Sequence, residues 1–229
     1  MKANVVIAGA SKGIGLELTQ WFLKNECSVI AVSRSATKLK SQPNFKTIKA
    51  DITGAEVIKK KVNSIIASQT KADIHIYVYN AGLLINKPFI ELSLDDMLKM
   101  ISVNVLAASL TTQSLIPWLL KAKHAHVVFI GSMGGFQGSV RFPGLTFYSA
   151  TKSALASLSE SLAEEFNDTN ISFNTLALGA VDTEMLQIAF PEYKAKTSPE
   201  SIASFIGSFA LEQFKHFNGK IIPVAQNNP

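Results

Sequence analysis

The chain has 229 residues, 47% hydrophobic and 17% charged, enough to bury one substantial core, and it reads as a single domain over residues 1–229. Its one cysteine, Cys27, excludes an intrachain disulfide and a CxxC metal knuckle and suits a reducing cytoplasm; no metal site is expected. The formal charge of +5 is modest, and its densest cluster, Lys59-Lys60-Lys61, reads as a solvated helix face, with no aromatic platform or motif for nucleic acid.

In chain order, MKANVVIAGASKGIG passes from two polar residues into a β-rich run that ends in glycine, not into a leader with a cleavage site, so export is not expected. Short β-branched runs then alternate with helical patterns. NVVIAG precedes a helix from Ile14; SVIAVS, a helix from Lys38; FKTIKA, a helix over Ala55 to Ser68; IHIYVYN, a helix near Leu94 to Lys121. HVVFIGS, the helix carrying Tyr148, ISFNTLALG, a loop, a helix from Pro199 and a final GKIIPV continue the series. No stretch reaches the roughly 18 uncharged apolar residues of a membrane span, because Ser, Thr, Asn and Gln break up ISVNVLAASLTTQSLIPWLL.

Near-continuous apolar strands separated by helices imply an α/β, doubly wound Rossmann fold: a seven-stranded, mostly parallel sheet with helices on both faces. In such a sheet ligands bind beyond the carboxyl ends of the strands.

The first of those ends reads AGASKGIG. Gly9 permits a tight turn, Gly13 lets the backbone approach a pyrophosphate, and Gly15 allows close helix packing, with Ser11, Lys12 and Ile14 between and beside them. The next end, AVSRSATK, discriminates between cofactors. An acid there would bind the ribose hydroxyls of NAD; Arg34 stands in its place, with Ser33 and Ser35 beside it. Arg34 and Lys12 together could grip a 2′-phosphate, which points to NADP(H); the competing reading is two solvated surface cations.

Further on, YSATK places Tyr148 and Lys152 one helical turn apart on one face, so that a cation can tune a phenol. With AGASKGIG, ADIT at 50–53, YNAG at 79–82, VNV around Asn104, IGS ending at Ser132 and YSATK all in order, the chain resembles the short-chain dehydrogenase/reductase family over nearly its whole length. The GxxxGxG spacing is that of the family's compact reductases. The resemblance implies a catalytic set of Asn104, Ser132, Tyr148 and Lys152. Tyr148 gives a proton to a carbonyl oxygen as hydride arrives from nicotinamide, and Lys152 holds the ribose and lowers the phenol pKa. Ser132 orients the carbonyl, and Asn104 holds a relay water. It likewise implies cofactor contacts from Asp51 and Ile52 at the adenine, from Asn80, Ala81 and Gly82 at the adenosine ribose, and from Gly179, Val181 and Thr183 at the nicotinamide. Asp51 is also a natural helix cap, Ser132 a turn former and Asn104 a partner for backbone.

Four positions depart from the family pattern: Ala8, Tyr79, Leu178 and a C-terminus, GKIIPVAQNNP, without the usual Asp-Gly-Gly. The run from Ser132 to Tyr148 is sixteen residues, longer than is common in the family. It supplies Phe136, Phe142 and Phe147 as candidate apolar walls and Arg141 either as an anchor for an acidic substrate or as an exposed loop charge. The segment near 180–198 reads as a short substrate loop that leaves the pocket open. The expected activity is NADP(H)-dependent interconversion of a carbonyl compound and its alcohol; the alternative is a cofactor-binding regulator or scaffold without turnover. A homodimer or homotetramer is implied by the family, built on the helix bearing Asn104 and the small-residue face Ala150, Ala154, Ser157 and Ser161, for which core packing is the rival use.

Overall fold

A computed structural model describes residues 3–40, 42–67 and 73–225. Seven parallel strands form one sheet in the order β3-β2-β1-β4-β5-β6-β7: β1 (Asn4–Ala8), β2 (Ser28–Ser33), β3 (Phe45–Lys49), β4 (Ile76–Tyr79), β5 (Ala125–Ile130), β6 (Ile171–Leu178) and β7 (Lys220–Val224). The helices are α1 (Gly13–Lys24), α2 (Ala55–Ala67), α3 (Leu94–Ile101), α4 (Ala107–Leu119), α5 (Thr146–Glu165), α6 (Glu184–Ala189) and α7 (Pro199–Glu212). The predicted last residue of α2, Ser68, lies outside the described residues, as do Met1, Lys2 and the closing Gln226 to Pro229.

The apolar strands are buried on both sides because alternate residues feed two cores. Val6, Ala8, Ile30, Val32, Tyr77, Tyr79, Val127 and Phe129 share one core with α2, α4 and α5. Val5, Ile7, Val29, Ala31, Ile76, Val78, Val128 and Ile130 share the other with α1 and α7. On that second face α1 and α7 approach closely, since a β-carbon added at Gly207 would stand 2.2 Å from the Trp21 ring.

The helix expected from Lys38 is not formed: among the described residues the β2–β3 connection is turns and bends. Leu39 is the one apolar residue between Lys38 and Pro43, too little for a buried stripe, and Pro43 cannot continue a helix. The long helix expected over 94–121 is there but is interrupted by a π-turn at Ser102–Leu106, centred on Asn104. Counted through that turn, Leu94–Leu119 is long and apolar enough to cross a bilayer, unlike the sequence expectation; 44% of the window that meets the criterion is buried inside the fold. The segment after Thr183 is helical at α6, and Val181 bridges to Thr197 behind it.

Candidate active site

From β1 the chain winds outward to β2 and β3 and then returns to β4, so the connections leaving β1 and β4 part in opposite directions. That parting opens a crevice at the carboxyl ends of the strands. A cavity of about 680 Å³ fills it, lined from the glycine loop and the ends of β2 and β4 through Ser132, Tyr148 and Lys152 to the 179–193 segment.

The glycine loop is built by close contacts. Gly9 adopts φ +83°, and a β-carbon on it would stand 2.7 Å from the Ala81 nitrogen. At Gly15 an added β-carbon would fall 2.0 Å from the Gly9 oxygen, which already accepts a hydrogen bond from Asn80 Nδ2 at 2.8 Å. Ser11, Lys12, Gly13 and Ile14 line the crevice between these points. Lys12 occupies the N-cap of α1 with no side-chain cap bond, leaving the first amides of α1 to meet an anion.

Both cations proposed for a 2′-phosphate line the crevice, and one of them is already paired. Lys12 Nζ lies 2.6 Å from Glu184 Oε2, an exposed ion pair that reaches from the glycine loop to α6. Arg34 stays at the end of β2, where Ser35 Oγ donates to Ser11 Oγ at 3.4 Å and Ser33 Oγ donates to the Ser35 carbonyl at 2.8 Å. Asp51 lines the same end beside Ile52, and its Oδ1 accepts from both the amide and the hydroxyl of Thr53. Those bonds, with Arg34 nearby, hold its carboxyl below the ordinary carboxylate range. Asp51 therefore makes a turn, and α2 begins only at Ala55.

Asn104 is fully buried, and both polar atoms of its side chain are hydrogen-bonded. Oδ1 accepts from the Leu83 amide at 2.8 Å, while Nδ2 donates to the Leu83 carbonyl and to Thr151 Oγ1, each at 2.9 Å. It thus ties the segment after β4 to α5, next to Gly82, where an added β-carbon would lie 3.5 Å from Lys152 Nζ and 3.7 Å from Asn104 Oδ1. Tyr79, the departure from the family's asparagine, donates its hydroxyl to the Val103 carbonyl, one residue from Asn104 in the π-turn.

Ser132, Tyr148 and Lys152 meet at the end of β5. Ser132 acts on the Tyr148 hydroxyl, and its Oγ accepts from the Gly134 amide at 3.2 Å. Burial outweighs the lowering by Ser132 and pushes the phenol up to about 12. Lys152 is buried as well, donates to the Ile130 carbonyl at 2.8 Å, and is pushed down to about 8 by desolvation. Its Nζ stands 5.9 Å from the centre of the Tyr148 ring. The sequence leads to a phenol lowered by Lys152; here burial raises it, and the group that opposes burial is Ser132.

Gly179, Val181 and Thr183 reach the crevice as expected. Despite Leu178 in place of proline, the Gly179 amide continues the β6–β7 ladder to the Val224 carbonyl at 3.0 Å, and Thr183 caps α6 by accepting from the Leu186 amide. Of the three aromatic walls proposed in the lengthened run, only Phe142 lines the cavity. Arg141 donates Nη1 to the Gly134 carbonyl, so it pins its own loop and is absent from the cavity lining. Sequence reasoning missed Glu184, Phe190 and Tyr193; the last two face the cavity only because α6 folds the loop back.

The short chain dehydrogenase family profile matches residues 3–194. The chain belongs to the short-chain dehydrogenase family. An uncharacterized oxidoreductase of Staphylococcus aureus strain USA300 is 28% identical over 96% of this chain and 95% of its own. The 3-oxoacyl-[acyl-carrier-protein] reductase FabG of Aquifex aeolicus is 28% identical over 96% and 94%. Among solved structures, ElxO with NADP bound superposes with a TM-score of 0.85 at 28% identity, covering 98% of this chain and 97% of that one. The chain is accordingly an oxidoreductase of this family.

Proposed function

We propose that the protein is an NADP(H)-dependent carbonyl reductase. The observation that carries this reading is the meeting of Ser132, Tyr148 and Lys152 in the same crevice as the glycine loop. The residues fit a dinucleotide: Gly9 and Gly15 leave no room for a β-carbon, and the open N-terminus of α1 suits a pyrophosphate. Arg34, Ser35 and Ser11 would hold the 2′-phosphate, Asp51 and Ile52 the adenine end, and Asn80, Ala81 and Gly82 the adenosine ribose. Gly179, Val181 and Thr183 would hold the carboxamide. Lys12, engaged by Glu184, contributes less than Arg34 to this preference. A relative named as NADP-bound supports the same choice.

When bound, the reduced dinucleotide supplies a hydride. In this reading Ser132 donates a hydrogen bond to the substrate carbonyl and polarises it. Tyr148, kept protonated by burial, gives its phenolic proton to the carbonyl oxygen as negative charge develops there. Lys152 holds the nicotinamide ribose and replenishes the proton. Asn104 fixes α5 against the strand ends through Leu83 and Thr151, so any relay water would be held by its main chain.

The protein also pairs with a second copy in this reading. Leu94, Leu98, Leu106 and Leu110 are 72%, 52%, 52% and 47% exposed along α3, the π-turn and α4, and Ala150, Ala154, Ser157 and Ser161 are exposed on α5. Core packing within the subunit does not use this face. We read the apolar stripe as a subunit contact, which also accounts for the hydropathy of Leu94–Leu119.

The test is NADPH oxidation by the purified chain against ketones, aldehydes, quinones, sugars and acyl thioesters. Turnover of at least one class with NADPH preferred over NADH is expected; tight NADPH binding with no turnover on any class would favour a cofactor-binding regulator.

A further inference from the structure

The charges that line the crevice are unevenly placed. Arg34 and Asp51 sit at the far end, beside β2 and the turn before α2; Lys12 and Glu184 are paired across the glycine loop, and Lys152 is bonded to the Ile130 carbonyl. On the other side of Tyr148 the lining changes character. Leu145 and Tyr148 are buried in a third apolar cluster, with Leu83, Leu84, Phe142 and Phe190 packed against them. Among the described residues, the lining on that side carries no formal charge. The lip continues in Ile188, 74% exposed on α6.

Arg141, the cation nearest in sequence to Phe142, is withdrawn from any such role by its bond to the Gly134 carbonyl. A carboxylate or phosphate entering this half of the crevice would therefore lose its hydration and find no counter-charge. A flat or branched apolar group would displace water from Leu84, Phe142, Leu145 and Phe190 at no such cost.

We propose that the carbonyl compound reduced here is uncharged and apolar, its substituent seated among Leu84, Phe142, Leu145 and Phe190; the proposal rests on the reductase reading above. The three elements that build this seat are the segment after β4, the lengthened run before Tyr148 and the loop that carries α6. Phe142 and Phe190 belong to the two of these that depart most from a minimal strand-to-helix connection.

The experiment compares two probes that differ in charge beside the same ketone, ethyl benzoylformate and benzoylformate, by NADPH oxidation with the full chain. The ester is expected to exceed the acid in kcat/KM by at least about 30-fold. A smaller ratio, or failure of both probes while another class of carbonyl compound is turned over, overturns the substrate class and leaves the reductase reading standing; failure of every class with NADPH still bound overturns the reductase reading itself. Phe142→Arg is expected to cut the ratio by about tenfold, by raising kcat/KM for the acid. An unchanged ratio in that variant, with NADPH affinity intact, overturns the seating of the substrate against Phe142.

Discussion

Lys152 lies one turn beyond Tyr148 on α5, yet its ammonium is bonded to the Ile130 carbonyl, 2.8 Å away, and stands 5.9 Å from the centre of the phenol ring. The pair therefore share a site without an ion-pair contact. Burial acts on them in opposite directions, because it disfavours the phenolate of one and the ammonium of the other.

A pH dependence follows from Lys152. Its pKa is lowered to about 8, so the ammonium is present below pH 8 and is lost as the pH rises through that value. Tyr148, raised to about 12, stays protonated across the same range. kcat/KM for NADPH, which reports the free enzyme, should fall tenfold per pH unit above about 8. A profile that stays flat to about pH 9.5 would show that the charge on Lys152 is not needed for capture of the cofactor.

Arg34 decides the cofactor preference in this account, since Lys12 is held by Glu184. Arg34→Asp should raise the Kd for NADPH by roughly 10- to 100-fold, the range of a hydrogen bond to a charged group, while the Kd for NADH holds or improves. Fluorescence titration with the two nucleotides measures both. Equal losses for each would remove the 2′-phosphate from Arg34.

Tyr79 closes the π-turn from below by donating to the Val103 carbonyl in a buried setting. Tyr79→Phe leaves that carbonyl unpaired, at a cost of about 1–3 kcal/mol. For a chain of this size each kcal/mol moves Tm by roughly 2–4 °C. Because Asn104 is the next residue, kcat should fall as well while the NADPH Kd is kept. A Tm and a kcat both equal to those of the parent would deny the bond its role.

At the opposite edge of the sheet His126 is buried between the rings of Phe209 and Phe214; its Nδ1 donates to the Ala210 carbonyl at 3.1 Å, and its Nε2 accepts from Asn174 Nδ2 at 2.9 Å. Burial lowers its pKa from 6.5 to about 4. Between those values the unfolded chain binds the proton and the folded one does not, so stability is lost as pH falls from 6.5 towards 4, by about 3 kcal/mol in all. His126→Gln should be less stable than the parent at pH 7 and should lose less on acidification to pH 4.5, measured by urea midpoints. Parallel curves for the two proteins would assign the acid loss to other groups.

The seven strands, the two-sided burial of the sheet and the opening of the crevice at its carboxyl ends were legible in the sequence, because continuous apolar runs and the glycine turn each follow from local chemistry. The helix from Lys38 was misread because basic residues with one leucine resemble a helix face until Pro43 and the lack of a buried stripe are weighed. The uses of Lys12 and Arg141 could not be read, since Glu184 and the Gly134 carbonyl approach them only through folded loops. For the same reason Phe142 could not be separated from Phe136 and Phe147. Tyr79 looked like a neutral departure, and only the fold puts its hydroxyl on the π-turn.

The central claim is that the Tyr148 phenol, in the same crevice as Ser132 and Lys152, is the proton donor. Tyr148→Phe keeps the ring and removes only the hydroxyl. Measured on any carbonyl compound the parent reduces, its kcat should fall by about 10²- to 10⁴-fold, with the NADPH Kd unchanged. Turnover within about threefold of the parent, at equal cofactor affinity, would contradict the account.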